Sequence, residues 1–111
     1  MMNLPTHKHE DNRRTLTEWI ADFPIRCCKV VEMKEDGVLG NHYHKNKQDF
    51  FYLLKGTGYY WIGGNGGTIN EGDCLTALPI EPHSFELKAG SILLEASTTP
   101  YDKEDEISLS N

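Results

Sequence analysis

The sequence predicts an all-β protein, and two observations support that class. All ten glycines lie between Gly37 and Gly90 of the 111-residue chain. They separate short segments rich in β-branched and aromatic residues, a pattern typical of many short strands joined by turns. The apolar residues of Thr15–Phe23 have a spacing compatible with two helical turns or with a strand. A chain of this length has room for a single compact core.

The predicted strands follow one another closely along the chain. Eight segments combine β-branched, aromatic and alternating apolar residues between turn signals: Cys27–Lys34, Val38–His44, Asp49–Leu54, Thr57–Ile62, Thr68–Asn70, Asp73–Leu78, His83–Leu87 and Ser91–Ser97. The glycine-rich loop Gly63–Gly67 tolerates positive φ and predicts a hairpin between the fourth and fifth strands. A phosphate-binding loop would require a helix after it, and no helix-forming segment follows.

The two ends of the chain differ from this central part. The first dozen residues and the last ten are polar, and four of the seventeen acidic residues lie near the C-terminus. Solvated, partly ordered ends are the expected outcome of such composition. The sequence therefore predicts an N-terminal arm at residues 1–26, a β-domain at residues 27–100 and an acidic C-terminal tail at residues 101–111.

The charge balance excludes some classes of partner. Eleven lysines and arginines against seventeen acidic residues give a net charge of -6, the opposite of what a nucleic-acid-binding surface requires. No apolar stretch approaches the roughly 20 residues that cross a bilayer, and the polar N-terminus lacks the apolar run of a signal peptide. Three cysteines without CxxC spacing are not expected to form a disulfide framework. We therefore expect a cytoplasmic protein without nucleic-acid or membrane partners.

Four polar side chains have the spacing of a metal site. His42 and His44 lie two residues apart on a predicted strand, so their imidazoles project from the same face. Asp49 begins the next strand, and His83 begins a later one. Imidazole and carboxylate ligands together suit divalent first-row metals. The sequence predicts metal binding by His42, His44, Asp49 and His83, whereas a similar histidine pair in the N-terminal arm is expected to be solvated.

The residues around the histidine pair resemble the first motif of the cupin superfamily, which is approximately G-x5-HxH-x3,4-E-x6-G. Here His42, His44, Asp49 and Gly56 have the spacing of that motif. Gly37, in the place of its leading glycine, lies one residue closer to the histidines. Asp49 stands where the family usually has glutamate, and its side chain is one methylene shorter.

A second segment resembles the second cupin motif, approximately G-x5-P-x-G-x2-H-x3-N. Gly72 and His83 have the spacing of its glycine and histidine, while Leu78 and Ile80 replace its proline and second glycine. The adjacent Pro79 keeps this turn stiff because its φ is fixed. The resemblance covers about residues 27–100 and suggests a small, single-domain cupin of the cupin-2 type.

The resemblance implies a double-stranded β-helix, or jelly roll, with a metal ion inside a barrel that is open at one end. It implies a divalent ion (manganese, iron, nickel or zinc) and isomerase or epimerase chemistry on a small polar or carbohydrate-type ligand. Two alternatives remain at this stage. One is an iron dioxygenase that uses only the three histidines, and the other is a non-catalytic cupin that binds a sugar or another metabolite.

The strand patterns also suggest a ligand pocket above an apolar floor, since alternate residues of the strands starting at Asp49 and His83 are apolar. Tyr52, Tyr60 and Phe85 are the candidate substrate-binding residues, with core packing as the alternative for the aromatic side chains. No single general base is evident. Asp49 would serve if it does not bind the metal, and Tyr52, Tyr60, Glu32 and Glu95 are further candidates. Exposed sheet edges in so small a chain predict a homodimer.

Overall fold

The structure, a computed structural model, describes residues 6–21 and 23–109 and confirms the all-β class. Every regular element in these residues is a strand. In chain order the strands are β1 Thr6–Glu10, β2 Thr15–Trp19, β3 Cys27–Glu32, β4 Gly37–His44, β5 Asp49–Lys55, β6 Thr57–Ile62, β7 Asn65–Asn70, β8 Cys74–Ala77, β9 His83–Leu87, β10 Ile92–Ser97 and β11 Glu106–Ser108. The eight predicted strands correspond to β3 to β10, with ends that differ by at most three residues.

Two antiparallel sheets form the body of the molecule. One contains four strands in the order β3-β10-β5-β8, and the other contains five in the order β11-β4-β9-β6-β7. Apart from the pair β6 and β7, neighbouring strands within each sheet are not consecutive in the sequence, as the crossing connections of a jelly roll require. This arrangement confirms the predicted fold. Among the described residues no strand ladder joins the two sheets, so they do not close into the predicted barrel and are held together by packing between them.

The core lies between the two sheets and is apolar. Phe51, Leu53 and Leu93 from the four-stranded sheet pack against Phe85 and Leu87 from the five-stranded sheet, and all five side chains are buried. Alternate residues along each strand point inward, which explains why Phe51 and Leu53 share one face of β5. The predicted apolar floor is therefore present.

The glycine-rich loop forms the predicted hairpin between β6 and β7. Ile62 pairs with Asn65, so Gly63 and Gly64 are the two turn residues. Their φ values are 57° and 85°, and two consecutive positive φ angles are what a type I′ turn requires.

The N-terminal arm contains a hairpin of its own. The segment that the sequence left open between helix and strand is β2, which pairs with β1 in a separate two-stranded sheet. The Trp19 ring lies 5.6 Å from that of Phe50 and 4.6 Å from that of Tyr52. These contacts pack the arm against the outer face of the four-stranded sheet.

The segment after residue 100 has more structure than its acidic composition suggested. Residues 106–108 form β11, which pairs with β4 at the edge of the five-stranded sheet. Asp105, just before this strand, is buried. The described residues contain no helix long and apolar enough to cross a membrane. Cys27, Cys28 and Cys74 are free thiols.

Candidate metal centre

A β-bulge in β4 orients the histidine pair. Gly40 pairs with Ser84 on β9 and His42 pairs with the adjacent His83, so Asn41 is the extra residue of the bulge. Asn41 has a φ of 65°. The bulge shifts the alternation of the strand by one residue. Leu39, His42 and His44 consequently all line the interior, although regular alternation from Leu39 would have turned both histidines outward.

The two strands approach each other closely at this point. Gly40 adopts a φ of 81°, and a Cβ atom there would lie 2.9 Å from the carbonyl oxygen of His83. A larger residue at position 40 would therefore separate β4 from β9 and move the histidines apart.

Three imidazoles converge in the cavity between the two sheets. The ligand atoms of His42, His44 and His83 all lie within 4.8 Å of one another. The ring centroids are 4.7 Å apart for His42 and His44, 4.7 Å for His42 and His83, and 5.3 Å for His44 and His83. His44 and His83 are buried and His42 is half-buried. The cluster thus combines two histidines from β4 with one from β9.

Each of these rings has an oxygen atom near its Nδ1. Glu106 Oε1 lies 3.0 Å from His42 Nδ1, and the carbonyl oxygen of Glu81 lies 3.1 Å from His83 Nδ1. Asp105 Oδ2 lies 3.9 Å from His44 Nδ1. An imidazole that donates a hydrogen bond from Nδ1 keeps its Nε2 lone pair for a metal, so the oxygens beside His42 and His83 favour ligation through Nε2. Asp105 Oδ2 is too far from His44 Nδ1 for a hydrogen bond.

Asp49 lies beside two members of the cluster and is fully buried. Ser97 donates a 2.5 Å hydrogen bond to its Oδ1, and the buried Lys47 ammonium lies 3.9 Å from the same oxygen. Its other oxygen, Oδ2, is 3.3 Å from His44 Nε2 and 3.6 Å from His83 Nε2. One carboxylate oxygen is therefore engaged by the protein, while the other faces the histidines.

Burial keeps the imidazoles in their neutral form. It lowers the pKa of His42 to about 4, assisted by the neighbouring imidazole of His83. Burial likewise lowers the pKa of His44 and that of His83. Neutral imidazole is the form that binds metal ions, so no proton has to be displaced near neutral pH.

The donor set fits a divalent ion. His44 Nδ1, His44 Nε2 and Asp49 Oδ2 are buried and have no hydrogen-bond partner in the structure. Buried polar atoms without a partner are rare and costly. Two ligand atoms about 2.1 Å from the same ion lie about 3.0–3.4 Å apart, close to the distances from Asp49 Oδ2 to the two Nε2 atoms. A cation at this point would satisfy Asp49 Oδ2 and His44 Nε2 together.

The cluster opens into a cavity of about 190 Å³ between the two sheets. This volume is below the roughly 300–1,000 Å³ of pockets for drug-sized molecules, so the cavity suits a small ligand. Its polar lining groups besides the histidines are Lys29, Lys47, Glu95 and Glu106.

A charged pair lies on the wall formed by the four-stranded sheet. Glu95 on β10 pairs in register with Lys29 on β3, and the Lys29 ammonium is 3.9 Å from the Glu95 carboxylate. Burial, together with the nearby charge of Asp49, raises the pKa of Glu95 above its usual range. The cavity therefore has imidazoles on one wall and a carboxyl group with a cation beside it on the other.

The structure separates the three predicted substrate-binding residues. Phe85 lines the cavity and packs against Phe51 with a centroid distance of 4.6 Å. Tyr60 packs against the core, with its ring over Gly67. Tyr52 belongs to the cluster on the outer face of the four-stranded sheet, because it alternates with Phe51 along β5. Of these three residues, only Phe85 lines the cavity and can touch a ligand there.

Sequence reasoning missed three of the cavity residues. Lys29 lies on a predicted strand whose inward face was not assigned, Lys47 lies in the loop between β4 and β5, and Glu106 lies in the expected tail. The alternation of β3 could have indicated Lys29, since Val31 shares its face. No local signal marks Lys47 or Glu106.

The protein belongs to the cupin family. The sequence model described as "Cupin domain" matches residues 29–100, which is more than half of the chain. No curated protein matches the sequence.

Several solved structures share the fold. The TDP-fucose-3,4-ketoisomerase WlaRA from Campylobacter jejuni superposes with a TM-score of 0.80 at 20% identity, covering 96% of this chain and 87% of that chain. The sugar 3,4-ketoisomerase QdtA from Thermoanaerobacterium thermosaccharolyticum, in complex with TDP, superposes with a TM-score of 0.80 at 21% identity. The match covers 96% of this chain and 85% of that chain. The RmlC epimerase of Mycobacterium tuberculosis superposes with a TM-score of 0.83 at 11% identity, covering 96% of this chain and 66% of that chain. At these identities the similarity shows the fold.

Proposed function

We propose that this cupin is a metal-dependent isomerase or epimerase that moves a proton on a small carbohydrate-type substrate. The observation that carries the proposal is the convergence of His42, His44, His83 and Asp49 Oδ2 beside a cavity whose other wall presents Glu95. The sugar ketoisomerases and epimerases with a similar fold support this class of substrate.

The three histidines and Asp49 are the proposed ligands of a divalent ion. Such an ion would polarise a carbonyl oxygen of the substrate and thereby acidify the adjacent C–H group. Manganese, iron, nickel and zinc are all compatible with these ligands. Asp49 is proposed as a ligand rather than as the base, because its side chain is fully buried and its free oxygen faces the histidines.

Glu95 is the proposed group for proton transfer. It lines the cavity, and its side chain is only 15% exposed. A carboxyl group that is shielded from water and adjacent to bound substrate can accept a proton from one carbon and return it to another. Lys29, 3.9 Å away, stabilises the carboxylate when the proton is absent. Phe85 provides an apolar surface for the substrate.

The metal centre is tested first, with untagged protein purified without chelators. About one metal ion per chain is expected, and the substitutions His42→Ala and His83→Ala should each abolish binding. The pair His7 and His9 on β1 provides a matched control, since it has the same spacing but lies outside the cluster. His7→Ala and His9→Ala should retain the metal. Failure to bind added manganese, iron, nickel or zinc would refute the metal centre.

Proton transfer is tested separately by NMR in D₂O with a free keto sugar and with a nucleotide-linked keto sugar. The parent should exchange the hydrogen next to the carbonyl for deuterium. Glu95→Gln should slow this exchange by about 10²–10⁴-fold, while Glu32→Gln, at an exposed position on β3, should not. Equal rates in the parent and in Glu95→Gln would exclude the proposed role of Glu95.

The three-histidine cluster also supports a second candidate function. His42, His44 and His83 without Asp49 would leave an iron(II) ion with open positions for oxygen and a substrate. Oxygen uptake by the iron-loaded protein distinguishes this dioxygenase from an isomerase, which consumes no oxygen.

A further inference from the structure

The C-terminal segment reaches the candidate metal centre from outside the part of the chain that matches the cupin family. The match ends at residue 100, whereas β11 lies at residues 106–108 and pairs with the half of β4 that carries the histidines. Glu106 pairs in register with His44, and Ser108 pairs with His42. The side chain of Glu106 lies on the cavity side of this sheet.

Backbone and side-chain hydrogen bonds fix the segment at both ends. Before β11, the Asp105 carbonyl accepts from Lys45 N at 3.0 Å. The Asp105 carboxylate accepts from Asn46 N at 2.8 Å and from Lys47 N at 3.2 Å. After β11, Leu109 N donates to the carbonyl of Asn41, the bulge residue, at 3.0 Å. The position of Glu106 is thus set by residues that flank the histidine pair on both sides.

We propose that Glu106 is a positioning residue for His42, which prepares that imidazole to bind metal through Nε2. The 3.0 Å distance between Glu106 Oε1 and His42 Nδ1 is within the reach of a hydrogen bond. A carboxylate oxygen only accepts, so His42 would have to donate from Nδ1–H. With the proton on Nδ1, the lone pair is on Nε2. This inference rests on the proposed metal centre and adds an outer residue to it.

His42 depends on such a partner more than the other two histidines do. His83 donates to a backbone carbonyl, which substitution of a side chain does not remove. His44 is buried between Asp49 and Asp105. His42 is the least buried of the three, so its ring has the most freedom to rotate once Glu106 is removed. Residues that orient a metal ligand in this way commonly contribute about 10–100-fold to metal affinity.

The experiment titrates the metal-free protein with Zn²⁺ by calorimetry. Glu106→Ala should weaken zinc binding by about 10–100-fold. Glu106→Gln keeps an oxygen that can accept from Nδ1–H, and it should recover part of the affinity. Glu104→Ala removes the same charge from an exposed position two residues earlier and should leave the affinity within about twofold of the parent. An effect of Glu106→Ala no larger than that of Glu104→Ala would overturn the proposal.

A second measurement separates positioning from general damage to the fold. Nitrogen-15 NMR of the metal-free protein should show His42 protonated on Nδ1 in the parent and in Glu106→Gln, and a mixture of tautomers in Glu106→Ala. If the parent binds no metal, the proposed function fails, while the tautomer of His42 still tests the contact with Glu106. An unchanged tautomer in Glu106→Ala would overturn the positioning role even if zinc affinity falls.

Discussion

Ile80 provides a prediction about backbone strain in the loop between β8 and β9. Its φ is 65°, in the left-handed region, and its side chain is 70% exposed. Its N–H donates to the carbonyl of His44 at 2.7 Å, which holds the loop against the end of β4. A β-branched residue in this conformation is a genuine outlier. It occupies the position at which the cupin motif has glycine.

The magnitude follows from comparing Ile80→Gly with Ile80→Ala. Both substitutions remove the same side-chain packing, so their difference isolates the backbone. Relief of the left-handed conformation favours the glycine variant by about 1–2 kcal/mol, whereas the greater freedom of glycine in the unfolded chain costs about 0.4–1 kcal/mol. The glycine variant should therefore be more stable than the alanine variant by about 1 kcal/mol.

Thermal unfolding followed by circular dichroism measures this difference, which corresponds to about 4–8 °C in midpoint for a small domain. Val38 on β4 is the control, because it is 65% exposed and its φ is not positive. There the order should reverse, with Val38→Gly less stable than Val38→Ala by about 0.5–1 kcal/mol. If glycine is the less stable choice at both positions, the assignment of strain to Ile80 is wrong.

Three further predictions concern acid stability, packing and assembly. Without metal, the protein should lose stability as the pH falls from about 6.5 to about 4. The unfolded chain binds protons on the site histidines in this range, whereas burial keeps the pKa of folded His42 at about 4. Urea unfolding at several pH values measures this loss, and a free energy of unfolding that does not change with pH would contradict the prediction. Gly58→Ala should destabilise the protein by about 1–3 kcal/mol, since the added Cβ would overlap the carbonyl oxygen of Glu86 on β9. An unchanged midpoint in thermal unfolding would contradict this prediction. The edge strands β3 and β8 of the four-stranded sheet predict a homodimer. Light scattering should therefore give twice the 12.6 kDa mass of the chain, and a mass of one chain would exclude the homodimer.

The sequence was sufficient to predict the strands of the cupin body and the cluster of three histidines. Two-residue spacing and alternation are local properties, so the common face of His42 and His44 and the inward face of Phe51 and Leu53 follow from the pattern itself. The type I′ hairpin likewise depends on adjacent glycines.

Features that depend on distant segments could not be predicted in this way. The inward orientation of Glu95 is set by its pairing with Lys29 and Phe51 on two other strands. Glu106 lies in a three-residue strand within an acidic segment, too short for any periodicity to appear. Tyr52 is an aromatic residue of the kind that often contacts ligands, but the alternation of side chains along β5 places it on the outer face of the four-stranded sheet.

The bulge at Asn41 has a consequence for variation in length. Because Asn41 is the extra residue of the bulge opposite β9, its deletion would restore regular alternation and still leave Leu39, His42 and His44 on the inner face. The deletion would also remove the hydrogen bond that the Asn41 carbonyl accepts from Leu109 N. Chains that differ by one residue between the leading glycine and the histidine pair, as this one does, can therefore present the histidines in the same direction.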